Sequence, residues 1–69
     1  MTERERLLLE SAEEAARAAQ YGQWAASCAS ESVRGLWLDL AASKRHLAEE
    51  LRGFADRLDG ILKLFDRGA

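Results

Sequence analysis

The fold is decided by residues 33–65, VRGLWLDLAASKRHLAEELRGFADRLDGILKLF. Alternating steps of four and three from Val33 reach Trp37, Leu40, Lys44, Leu47, Leu51, Phe54, Leu58, Ile61 and Phe65, and nine of these ten positions are apolar. A step averaging about 3.5 residues keeps one stripe of an α-helix turned toward a neighbour at a shallow angle. The stretch is therefore predicted to be one long helix packed along its length. Beside the stripe, Ala41, Ala48 and Ala55 form a column small enough to let another backbone come close. Lys44 breaks the apolar pattern. It reads either as a polar residue that sets register or, the preferred reading, as a side chain snorkelling to the edge.

Toward the N-terminus the same step runs through Leu8, Ala12, Ala15, Ala19, Gly22, Ala26 and Ala29. A small stripe opposite a bulky one is the complementarity expected of a helical hairpin. Thr2 and Glu5 form a capping box at the start of the first helix. Glu3, Glu5, Glu10, Glu13 and Glu14 suit the positive end of its dipole, and Glu13 is spaced to pair with Arg17. The only polar cluster in mid-chain is Ser30-Glu31-Ser32, where Ser30 can cap a second helix. The expected boundaries are helix 1 at about 3–29, a turn at about 30–32 and helix 2 at about 32–66, where Arg67-Gly68 is a reasonable stop. Asp59 and Lys63 are spaced to pair on its outer face. No proline or terminal glycine marks the break. One continuous helix, or three helices broken near Gly22 or Gly53, are the alternatives.

Composition supports an all-α chain of one domain. Thirteen of 69 residues are alanine, proline is absent, and the β-branched residues are only Thr2, Val33 and Ile61. Below roughly 70–80 residues one core seldom supplies more than about 3–5 kcal/mol, so such chains add disulfides, metals or partners. Cys28 is the only cysteine and His46 the only histidine, which leaves association. The net charge of −2 is spread as interspersed signs, with no basic stripe for nucleic acid. The charged start, Glu3 to Arg6, argues against a secretory signal, and no apolar run reaches the ~18 residues of a membrane span. A cytoplasmic protein with a reduced thiol is expected.

Two helices alone do not hide the apolar surface. Tyr21, Trp24 and Cys28 point away from the alanine stripe, and Leu36 and Leu38 lie outside the bulky one. Helix 2 outruns helix 1, so its last turns, with Ile61, Leu62, Leu64 and Phe65, lack cover. The expected interface therefore comprises Tyr21, Trp24, Cys28, Leu36, Trp37, Leu38, Phe54, Leu58, Ile61, Leu62 and Phe65. Two hairpins closing into a four-helix bundle, as a homodimer or higher homo-oligomer, is the simplest solution. A protein partner, or a monomer whose helix 2 bends back near Gly53 or Gly60, are the alternatives.

No catalytic, cofactor or metal signature is present, and the chain is not expected to be an enzyme. His46, followed by Glu49, reverses the Glu-then-His order of helical di-metal sites and reads as a solvated side chain. Cys28 reads as packing, with Arg34 the only cation near enough in sequence to activate it. The Phe54–Phe65 segment mixes Asp56, Arg57, Asp59, Lys63 and Asp66 on its polar face, unlike the basic face of a membrane-surface helix.

The run from Ala18 to Glu50 carries Ala18 and Tyr21, Ala25, a short polar break, Val33-Arg34, Trp37 to Ala41, and Leu47-Ala48-Glu49-Glu50. In this it resembles a class of short bacterial helical proteins of unknown function, and the arginine-over-lysine bias (8 to 2) fits a GC-rich bacterial gene. Where that class usually carries Asp-Pro, this chain has Ser30-Glu31. The resemblance implies two helices and no activity. The expected function is a self-associating protein-interaction module. Its alternatives are a small adaptor or chaperone holding a partner's helix, and a small-ligand or metal-binding bundle.

Overall fold

The computed structural model describes the backbone of residues 1–68 and the side chains of residues 1–64. It consists of α1 (Glu3–Ala26) and α2 (Glu31–Gly68), packed against each other as an antiparallel hairpin, and no strand occurs among the described residues. The threonine half of the expected capping box is in place, since the Glu5 amide donates to Thr2 Oγ1 at 3.1 Å. α1 ends at Ala26, three residues earlier than its small-residue pattern suggested. The Ser27 hydroxyl donates back to the Gln23 carbonyl at 3.1 Å, while Ser30 caps α2 by accepting from the Val33 amide at 3.4 Å.

The turn holds without proline or a left-handed glycine. α1 has no basic residue in its last turn, which leaves its negative end without a cation of its own. Arg34 supplies one from α2. Its Nε donates to the Ala25 carbonyl at 3.2 Å and its Nη2 to the Cys28 carbonyl at 2.7 Å. The guanidinium thus closes the loop by capping one helix from the other, and the continuous rod does not form.

The two helices meet through alanine. The buried apolar residues are Ala18 and Ala25 of α1 and Ala41, Ala48 and Ala55 of α2, and no side chain larger than alanine is fully buried among the described residues. Ser11 continues the α1 column seven residues before Ala18, and its hydroxyl donates to the Ala48 carbonyl at 2.7 Å. A short side chain reaches a backbone carbonyl across a helix pair only when the backbones lie close together. The α1 stripe predicted from Leu8, Ala12 and Ala15 is thus rotated. The closest contact runs through Ser11, Glu14, Ala18, Tyr21 and Ala25, while Leu8, Ala12 and Ala15 flank it beside Arg52 and Asp56 of α2. The reason is that α2 turns its alanine column toward α1, and its bulky stripe stands to one side.

α2 continues through Gly53 and Gly60 without a break, so the three-helix arrangement is not adopted. At 1.5 Å per residue α2 is roughly 21 Å longer than α1. The two helices are last tied together where Arg4 Nε stands 4.0 Å from Asp59 Oδ1. Beyond that point Ile61, Leu62 and Leu64 are exposed. The particle is a thin slab of 60 × 18 × 10 Å whose radius of gyration is 16.6 Å. A compact chain of this length would have about 11 Å.

Two stability outcomes follow from this geometry. A Cβ built on Gly60 meets nothing within 4 Å, so Gly60→Ala should raise stability by about 0.5–1 kcal/mol in urea unfolding. Arg34→Ala removes both guanidinium bonds at the turn, leaving the Ala25 carbonyl only the Cys28 amide and the Cys28 carbonyl without its donor, and should lower it by about 1.5–3 kcal/mol. An unchanged midpoint in Arg34→Ala would remove the guanidinium from its role in the turn.

Candidate functional site: an uncovered apolar face

Because the alanine column faces α1, the residues one helical step beside it form one open face of the slab. Val33, Leu40, Leu47, Phe54 and Ile61 repeat every seven residues along that face, each between 37% and 52% exposed. Trp37, Lys44, Leu51 and Leu58 lie between them and α1 and are half-buried.

At the turn end the face begins with three rings. Tyr21 stacks on Trp37 at 5.5 Å between centroids, and Trp24 meets Trp37 edge-on at 5.0 Å. The third pair, Tyr21 and Trp24, is tilted at 5.6 Å. These contacts hold Trp24 in place while leaving it 43% exposed.

In the middle lies a charged cluster built around a buried carboxylate. Glu14 is buried, and Arg17 Nη1 donates to its Oε1 at 2.6 Å. Lys44 Nζ stands 3.0 Å from Oε2, an ion-pair contact poorly aligned for a hydrogen bond. Arg17 therefore pairs with Glu14 and not with Glu13, whose spacing had suggested it. Lys44 crosses to α1 and does not snorkel free. Contact with Lys44 is the largest influence holding the Glu14 carboxyl below its ordinary value near 4.5, with burial pulling the other way.

At the far end Leu7, Phe54, Leu58 and Ile61 line an open apolar depression of about 440 Å³, with Arg57 at its edge. The Arg57 guanidinium lies over the Phe54 ring at 4.6 Å from its centroid.

The interface residues read from sequence separate into groups. Tyr21, Trp24 and Trp37 come together in the aromatic cluster, and Phe54, Leu58 and Ile61 at the depression. Leu36 flanks the column and is exposed, and Leu62 is exposed on the overhang. Leu38 is also exposed, but nine residues from Leu47 it points to the opposite side of α2. Cys28 is half-buried in the turn, its carbonyl held by Arg34. Phe65 lies outside the described side chains. Sequence reading missed Glu14 and Leu7, because both depend on which α1 stripe meets α2.

No family model, curated protein or solved structure matches this chain. The site is therefore read from its own geometry. His46 is exposed, and its Nε2 lies 3.0 Å from Glu50 Oε1. Among the described residues no three His, Cys, Asp or Glu side chains converge on one point, and no helix is long and apolar enough to cross a membrane.

The Glu14 cluster makes a pH prediction. Its folded-state ionisation lies below the unfolded one, so the carboxylate adds stability above pH 4.5 that is lost as pH falls through the folded value. Glu14→Gln should therefore flatten the loss of stability as pH falls below about 4.5. Parallel acid limbs for variant and wild type in urea titrations would refute the pairing.

Proposed function

We propose that this chain is a non-enzymatic protein-interaction module that self-associates through the open face of α2, two hairpins completing a four-helix bundle. The observation that carries the reading is surface area. The chain exposes 5305 Å² at a mass of 7.7 kDa, whereas a compact monomer of that mass would expose about 4300 Å². Roughly 1000 Å² is in excess, and much of the exposed apolar area sits on the α2 column and the overhang.

The core sets the energetic need. Five buried alanines contribute far less than leucines or aromatics would, since each buried methylene is worth only about 0.8 kcal/mol. A hairpin held by such a seam gains most of its remaining hydrophobic stabilisation by covering Leu40, Leu47 and Phe54. A reducing, cytoplasmic setting accords with the single half-buried thiol.

Sedimentation velocity at low micromolar concentration should give a species of twice the chain mass or more. Leu47→Glu should weaken association at least tenfold, because a carboxylate then has to be buried at the centre of the column. A wild-type chain that sediments as a folded monomer at tens of micromolar would end the proposal.

A further inference from the structure

We infer that the depression at the far end of α2 binds a free medium-chain fatty acid, its carboxylate on Arg57 and its chain along Leu7, Phe54, Leu58 and Ile61. This goes beyond self-association and does not depend on it.

The hollow has the make-up of a ligand site. Its volume of about 440 Å³ falls within the roughly 300–1,000 Å³ of small-molecule sites, which combine apolar walls with a few polar groups that fix orientation. Here four lining residues are apolar and one, Arg57, is charged. From Phe54 to Ile61 the walls run about 10 Å along the helix axis, so a flexible chain can lie along them.

Charge selects the head group. Arg4, Arg6, Arg17, Lys44 and Lys63 each stand within 4.0 Å of a carboxylate. Arg45 and Arg52 each have an acidic residue four positions on, Glu49 and Asp56. Arg57 has neither, since its neighbours at three and four positions are Gly53, Phe54, Gly60 and Ile61. Its guanidinium is instead held over the Phe54 ring, and its Nε donates to the Gly53 carbonyl at 3.5 Å. Among the described residues its two terminal nitrogens donate no hydrogen bond and enter no ion pair. A guanidinium fixed in this way, with its outer donors open, matches one carboxylate. A neutral hydrocarbon would leave that charge unused. A multiply charged phosphate compound would find one cation and four apolar walls.

Isothermal titration of the full chain with sodium decanoate, kept below micelle formation, tests this. Saturable binding of one decanoate per chain is expected, with octanoate roughly four- to fifteen-fold weaker as two methylenes are lost. Arg57→Gln should weaken decanoate at least tenfold and leave 1-octanol binding unchanged, while Arg57→Lys should recover most of the affinity. Equal decanoate affinity in Arg57→Gln and wild type is detergent-like adsorption and overturns the site. So does the absence of saturable binding at millimolar decanoate. Uptake onto phosphatidylglycerol vesicles without decanoate binding would assign this face to a membrane surface, and overturns it too. Leu47→Glu separates the two proposals, since it should bind decanoate as wild type does. A wild-type monomer that binds decanoate overturns only the function proposed above, and a dimer that does not bind it overturns only this site.

Discussion

The close approach of two helices through alanine governs the rest of this structure. Ala18 and Ala25 against Ala41, Ala48 and Ala55 allow the backbones near enough for Ser11 to donate to the Ala48 carbonyl. Small side chains gain contact density but remove little apolar area from water. The same rotation that turns the alanines inward carries Val33, Leu40, Leu47, Phe54 and Ile61 out to one side. A tight seam and an uncovered bulky column are therefore one choice made by α2.

Polar contacts set register along that seam, where alanines alone would let the helices slide. Arg34 holds the turn by capping α1 from α2, and Glu14 holds Lys44 across the middle. Arg4 and Asp59 mark where the shorter helix runs out. A one-turn shift would strand the buried Glu14 carboxylate and take the guanidinium from the Cys28 carbonyl. The aromatic cluster adds a rigid end, with Trp37 touching both Tyr21 and Trp24. On the proposed function, these contacts preorganise the face that a second copy covers.

Much of this was legible without coordinates. Period and composition determined that the chain is helical on both sides of Ser30-Glu31-Ser32 and favoured Ser30 as the start of a second long helix. An unbroken rod and a three-helix chain stayed open until the structure placed α2 from Glu31 onward. Helicity and capping are local properties, carried by propensity, capping and spacing within a few turns. What only the tertiary structure decided was which of two parallel columns on α2 faces α1. The alanine and leucine columns lie one residue apart with identical period, so sequence spacing cannot rank them. Backbone approach can, because only the alanine column admits α1 at the distance the Ser11 hydrogen bond requires. From that rotation come the burial of Glu14, its pairing with Arg17 in place of Glu13, the reach of Lys44 across the seam and the exposure of the leucine column.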